Sequence, residues 1–169
     1  MILFLDFDGV LHPDAAFLVK GRPTLKAKGE LFMWAPLLVE VLADFPEVQI
    51  VLSTSWAREL SFSRACRWLP DGLRARVIGS TWHSSMAFHP DGFRVPTGLT
   101  WWDTATRYQQ IKRFADRAGL VDWVAVDDQP EGWNTDDRDK LVHTSGDTGL
   151  SNAAVLALLA ARLGRQPCD

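Results

Sequence analysis

A short apolar run that ends in two acids opens the chain and constrains its fold more than any other feature. Residues 2–7 predict a buried strand, because a short apolar run leads directly into Asp6, Asp8 and Gly9. Two carboxylates at the end of a buried strand repel each other and lose hydration, and a bound cation reduces that cost. Carboxylate oxygens suit Mg²⁺, so these residues predict a metal-binding and catalytic site.

Strands and helices alternate along the rest of the chain, which predicts an α/β fold with a parallel sheet flanked by helices. Residues 12–30 lack this periodicity and are predicted as a loop or small hairpin. Residues 80–103 also lack it, and they are predicted as a long loop over one face of the domain. The other expected strands cover residues 48–52, 76–78, 123–126 and 141–143, and the expected helices cover residues 34–45, 57–69, 106–118 and 151–163.

Polar side chains follow three of the predicted strands. These strand ends carry Asp6 and Asp8, then Ser53 and Thr54, then Asp127 and Asp128. The carboxyl ends of parallel strands share one edge of a sheet, and open α/β sheets bind their ligands at that edge. A single Asp at such a position is often only a turn residue. Three polar strand ends at one edge are better explained by a common site.

Charge and cysteine content limit the classes of protein to which this chain can belong. A net charge of −3 provides no overall basic field that would attract nucleic acid. Cys66 and Cys168 are far apart and are predicted to be free thiols, as in a reducing compartment. A secretory signal would need an apolar segment where Asp6 and Asp8 stand, and no stretch is long enough to span a bilayer. We therefore expect one cytoplasmic domain over residues 1–169 with no membrane partner.

With these motifs the chain resembles the haloacid dehalogenase (HAD) superfamily of phosphohydrolases. The resemblance rests on residues 6–11, on Thr54 after residues 50–53, and on residues 124–128, and it covers nearly the whole chain. The chain is similar in particular to the small capless HAD domains of RNA-repair proteins. This resemblance implies a Rossmann-like three-layer sandwich with helices on both faces of a parallel five-stranded sheet of strand order 3-2-1-4-5. It also implies that a large cap domain is absent.

The resemblance assigns roles to the acids at the strand ends. Asp6 is the expected nucleophile, which forms an aspartyl-phosphate. Asp8 is the expected general acid and then general base, and its backbone carbonyl is an expected Mg²⁺ ligand beside Asp6. Asp128 is the expected direct metal ligand with Asp127 behind it, although the order of these two stays open. Thr54 is expected to hydrogen-bond a phosphoryl oxygen.

A basic residue near the phosphoryl group is the next element that the resemblance implies. Arg107 is preferred for this role because it stands at the start of a predicted helix, whereas Lys112 lies more than a turn further along. Arg also grips phosphate through two nitrogens. The remaining candidate substrate contacts are Gly9, His12, Ser55, Trp56 and Lys112, and for His12 a turn residue is an equal alternative.

Two segments bear on the substrate. Residues 20–28 are basic, and they would either attract a phosphate-rich substrate or form a solvated hairpin. Trp82, Trp101 and Trp102 would either stack on a flat group or pin the long loop to the body. Specificity is expected to lie in residues 12–30 and 80–103, and the sequence alone does not identify the substrate.

The leading hypothesis is a Mg²⁺-dependent phosphomonoester hydrolase, with a nucleotide or a nucleic-acid end among its candidate substrates. Asp8 favours phosphate esters over halides, because a halide leaves without a proton. The alternative is a non-catalytic regulatory module that binds phosphate or a partner on the same fold. A P-loop kinase is disfavoured because its phosphate-binding motif is missing.

Overall fold

The first strand lies at the centre of the sheet because every one of its side chains is apolar and buried. A computed structural model describes residues 1–96 and 98–165. Five parallel strands form the sheet, in the order β5-β4-β1-β6-β7. Their bounds are β1 Ile2–Leu5, β4 Gln49–Leu52, β5 Val77–Ser80, β6 Trp123–Asp127 and β7 Leu141–His143. This order is the predicted 3-2-1-4-5, since β2 and β3 form a separate hairpin.

Helices cover both faces of the sheet. Alternate residues of β1 face opposite sides, so that Leu3 and Leu5 belong to one apolar core and Phe4 to the other. The helices are α1 Ala35–Ala43, α2 Ser55–Glu59, α3 Phe62–Cys66, α4 Asp71–Arg74, α5 Trp101–Thr104, α6 Arg107–Arg117 and α7 Ala153–Leu163. The first core packs against α1 and α7, and the second against α6. The predicted three-layer α/β sandwich is confirmed.

The predicted helix over residues 57–69 is wrong. The chain instead forms α2, then a turn, then α3, and Ser61 between them has a φ of +87°. A residue with this φ cannot continue a right-handed helix, so the helix stops at Glu59. The apolar spacing across the break keeps Trp56 and Ala65 buried on the same side of the domain.

The segments without periodicity are short elements and turns. Residues 12–30 contain the antiparallel hairpin of β2 Ala16–Val19 and β3 Arg22–Leu25. Residues 80–103 contain a 3₁₀ turn at Ser84–Ala87 and part of α5. Neither insert provides a large cap in the part of the chain that the structure describes.

Cys66 is partly buried and forms no disulfide with another described residue, whereas Cys168 lies outside the described residues. None of the helices within residues 1–96 and 98–165 combines the length and the apolar character needed to cross a bilayer.

Candidate active site

The strand register brings the predicted polar residues to one edge of the sheet. Leu5 of β1 is level with Leu52 of β4 and with Val126 of β6. The pairing continues past Leu5, because the backbone N–H of Asp6 donates to the carbonyl of Val126 at 3.2 Å. The backbone N–H of Ser53 similarly donates to the carbonyl of Leu5 at 2.8 Å. The residues that follow these strands are therefore neighbours in space.

Three carboxylates converge at this edge. One oxygen from each of Asp6, Asp127 and Asp128 lies within 4.8 Å of the others, and we call these three residues the acidic cluster. Asp6 and Asp127 are buried, whereas Asp128 is partly exposed. The predicted convergence of the acids at 6 and 127–128 is therefore present in the structure.

Arg107 lies against the cluster at the beginning of α6. Its Nη2 donates to Oδ2 of Asp6 at 3.2 Å. Its Nε lies 3.0 Å from Oδ2 of Asp127, and these two groups form an ion pair whose geometry is not that of a hydrogen bond. A third contact, from Nη1 to Oε1 of Gln110 at 3.1 Å, holds the guanidinium from its other side. Thr106 caps this helix, so the first turn that carries Arg107 is well defined.

One guanidinium does not balance three carboxylates. Burial raises the pKa of Asp6, and Arg107 only partly opposes that rise. Burial and the neighbouring Asp6 raise the pKa of Asp127 well above its ordinary value. For Asp128, burial and then the charges of Asp6 and Asp14 raise the pKa to about 7. The cluster thus carries an excess of negative charge that a cation would relieve.

The residues around the cluster fit a divalent cation. Carboxylate oxygens are the donors that Mg²⁺ prefers, and the cluster brings one such oxygen from each of its three acids within 4.8 Å of the others. Gly9 leaves the space for Asp128, since a Cβ at position 9 would lie 2.6 Å from Cγ of Asp128. Gly9 also has a φ of +67°, which favours glycine. Gly9, predicted as a substrate contact, instead packs against an acid of the cluster.

Asp8 lies beside the cluster, and its carboxylate is only 20% exposed. Oδ1 of Asp8 pairs with Nε2 of His12 at 3.0 Å, and Oδ2 accepts a hydrogen bond from Nε1 of Trp56 at 2.9 Å. His12 is fully buried, so the structure does not place it where a substrate would touch it. The prediction of His12 as a substrate contact is corrected on this point, because both of its ring nitrogens already have partners.

The second strand end, Ser53 and Thr54, lies immediately before α2. Thr54 is fully buried and caps α2, its hydroxyl accepting from the backbone N–H of Trp56 at 3.4 Å. A hydrogen bond from the same hydroxyl lowers the pKa of Asp6, although burial raises that pKa by more. Ser55 and Trp56 line a small cavity of about 100 Å³ together with Asp8.

Apolar residues of the hairpin help to line this small cavity. They are Ala16, Phe17, Leu18 and Pro23. The basic side chains of residues 20–28 are exposed to solvent.

Lys112 lies away from the cluster. Its ammonium pairs with Asp116 on the exposed side of α6. The structure therefore brings Arg107, and not Lys112, to the predicted site.

The three tryptophans of the long loop differ in exposure. Trp102 is buried and meets the ring of Trp82 edge-on at 5.5 Å. Nε2 of Gln110 in α6 donates to the carbonyl of Trp102 at 2.8 Å, which pins the loop to the body. Trp101 is 42% exposed and lies under the guanidinium of Arg113 at 4.2 Å. Trp101 and Trp102 border a larger cavity of about 920 Å³ between the loop and α6.

Two residues near the cluster were not predicted. Thr144 directly follows β7 and is buried. Its hydroxyl donates to the carbonyl of Gly9 at 2.8 Å, and its backbone N–H donates to the carbonyl of Asp127 at 3.0 Å. Asp14 adds a further negative charge near Asp128. Thr144 follows a strand as Thr54 does, so the same strand-end argument applied to β7 would have found it.

Comparison with known families gives a match over most of the chain. A family model described as "HAD domain in Swiss Army Knife RNA repair proteins" matches residues 2–155. Curated proteins and solved structures give no significant match to the chain. The matched range includes the acidic cluster, Asp8 and Arg107, and it extends into α7.

Proposed function

Because the chain belongs to the family of HAD domains in Swiss Army Knife RNA repair proteins, a family of phosphohydrolase type, we propose that it hydrolyses phosphomonoesters with Mg²⁺ through an aspartyl-phosphate. The observation that carries this proposal is the convergence of Asp6, Asp127 and Asp128 on one point, with Arg107 against them. With Mg²⁺ bound, such an arrangement would neutralise and position a phosphoryl group, which is most of what its transfer requires.

Asp6 is the proposed nucleophile. One of its carboxylate oxygens attacks phosphorus, and the bond from phosphorus to the ester oxygen breaks as Asp8 gives that oxygen a proton. Asp8 then takes a proton from the water that attacks the aspartyl-phosphate, so that phosphate leaves and Asp6 is regenerated. The backbone N–H of Phe7 and the guanidinium of Arg107 already hold the two oxygens of Asp6, at 2.8 and 3.2 Å.

Asp6, Asp128 and the backbone carbonyl of Asp8 are the proposed Mg²⁺ ligands. Asp127 is the better candidate for the outer position, because Arg107 pairs with one of its oxygens and the backbone N–H of Gln129 donates to the other at 3.0 Å. The metal would supply positive charge to the transferring phosphoryl oxygens. Arg107 would hold Asp6 and a phosphoryl oxygen, and Thr54 would support the same group.

The substrate is proposed from the openness of the site and from the family. The described residues form no large cap domain, and a small hairpin lies beside Asp8, so a bulky ester can approach. A nucleotide or a nucleic-acid end fits this openness and the family's description. The exposed basic side chains of the hairpin add a modest attraction for phosphate-rich substrates.

A phosphomonoester screen with and without Mg²⁺ tests the proposal. We expect turnover that requires Mg²⁺ and that Asp6→Asn abolishes, since an amide is a poor nucleophile. Phosphate release that is unchanged in Asp6→Asn would contradict the proposal.

The alternative is a module that binds phosphate or a partner without turnover. The presence of Asp8 argues against it, because a binder needs no second acid beside the first. Asp8→Asn separates the two functions: an enzyme should lose most of its rate, whereas a binder should retain its affinity.

A further inference from the structure

Two N–H donors from different parts of the chain hold the carboxylate of Asp8. Nε2 of His12 lies 3.0 Å from Oδ1, and Nε1 of Trp56 lies 2.9 Å from Oδ2. Each carboxylate oxygen has one of the two contacts, so rotation of the group would break both. Asp8 is therefore more constrained than a partly exposed acid at a strand end would ordinarily be.

The proton on His12 can be located from its second contact. The backbone N–H of Phe32 donates to Nδ1 of His12 at 3.3 Å. A ring nitrogen that accepts a hydrogen bond carries no proton, so the ring proton is on Nε2, which donates to Asp8. Phe32, which is 20 residues further along the chain, thus determines that His12 acts as a donor.

Packing restricts the two donors in turn. The His12 ring meets the ring of Phe32 edge-on at 5.0 Å, and its centroid lies 5.7 Å from that of Trp56. The Trp56 ring also meets the rings of Phe7 and Trp68 edge-on, each at 5.7 Å. Because His12 and Trp56 are enclosed by other aromatic rings, their N–H groups have little freedom to turn away from Asp8.

From this geometry we propose that His12 and Trp56 are positioning residues that fix Asp8 for proton transfer to the leaving oxygen. The inference rests on the proposed function, in which Asp8 is the general acid. A general acid must lie within hydrogen-bond reach of the oxygen that it protonates, and a small misplacement reduces the rate strongly. The two donors hold both oxygens of Asp8 and so limit its displacement from such a position.

Three variants separate the hydrogen bonds from the packing. Trp56→Phe removes the indole N–H, and Trp68→Phe is its matched control in the same aromatic group, without contact to Asp8. His12→Asn keeps an acceptor for the N–H of Phe32 but is too short to donate to Asp8. His12→Gln places an amide N–H near the position of Nε2 and should restore the contact.

The assay compares kcat/KM for p-nitrophenyl phosphate and for glycerol 2-phosphate. The nitrophenolate leaves without a proton, whereas the glycerol alkoxide needs one. For Trp56→Phe and His12→Asn we expect a loss of roughly ten- to hundredfold on the glycerol ester. The same variants should lose only about threefold or less on the aryl ester, where the leaving group requires little help from Asp8.

Three outcomes decide the inference. The inference is supported if Trp56→Phe and His12→Asn lose rate selectively on the glycerol ester, His12→Gln recovers that rate, and Trp68→Phe shows no such loss. Equal losses on both esters, or no loss on either, in an active wild-type protein would overturn the inference alone. A wild-type protein without turnover that depends on Asp6 would overturn the proposed function and this inference with it.

Discussion

Arg107→Ala is the substitution that most directly tests the electrostatic balance of the acidic cluster. The guanidinium lies 3.2 Å from Asp6 and 3.0 Å from Asp127, and all three side chains are buried. Removing one member of a buried ion pair leaves charge that neither solvent nor a partner compensates, at a cost of about 3–5 kcal/mol. In a domain of this size that cost lowers the melting temperature by roughly 6–20 °C.

The measurement is thermal unfolding in EDTA, followed by circular dichroism, with Lys112→Ala as the matched control. Lys112 lies on the same helix but pairs with Asp116 at the surface. Its removal should leave the melting temperature nearly unchanged. Added Mg²⁺ should recover part of the loss in Arg107→Ala, because a cation replaces some of the missing positive charge. Equal melting temperatures for the two variants in EDTA would refute the reasoning.

Further predictions concern the metal, the turn at Gly9 and the single tyrosine. Mg²⁺ at one hundred times its dissociation constant should stabilise the wild-type protein by about 2.7 kcal/mol in calorimetry. Asp128→Asn should lose that gain yet melt higher than wild type in EDTA, because one of three repelling carboxylates is gone; a retained Mg²⁺ gain would exclude Asp128 as a ligand. Gly9→Ala should weaken Mg²⁺ binding in titration calorimetry, because the added Cβ would displace Asp128. Gly21 has a similar positive φ but open space around it, so Gly21→Ala should cost only about 1–2 kcal/mol of stability and leave Mg²⁺ binding unchanged. Equal Mg²⁺ affinities in these two variants would contradict the packing of Gly9 on Asp128. Burial and the hydrogen bond to Asp137 raise the pKa of Tyr108 to about 12. The contribution of neutral Tyr108 to stability is therefore fully present below about pH 10 and is lost as the pH rises towards 12. Absorbance at the tyrosinate band should show this late titration in the folded protein and a normal one in urea; a midpoint near 10 in both would contradict it.

The sheet and its strand ends were predictable because their signals are local. An apolar run followed by Asp6 and Asp8 indicates a buried strand and a polar end, and the parallel arrangement then places Asp127 and Asp128 beside them. The preference for Arg107 over Lys112 also needed only the position of each residue in α6. Helical geometry separates the first turn from the second without knowledge of the tertiary structure.

The roles of other residues depend on contacts that are distant in the sequence. His12 lies in the interior because Phe32 and Trp56 pack around it, and no pattern near residue 12 shows this. The break at Ser61 depends on a single backbone angle, although the apolar spacing on both sides suits a continuous helix. Which residues of the hairpin line the cavity is likewise determined by packing, because β2 is apolar on both of its faces and its sequence does not show which face turns inward.

Trapping the covalent intermediate tests the central claim that Asp6 attacks phosphorus beside a bound cation. The protein is mixed with Mg²⁺ and a labelled phosphomonoester, quenched in acid within a turnover, digested and examined by mass spectrometry. We expect a phosphate on the peptide that contains Asp6, sensitive to hydroxylamine, and absent both without Mg²⁺ and in Asp6→Asn. Turnover with no label on that peptide, or a label that forms equally well in EDTA, would contradict the account.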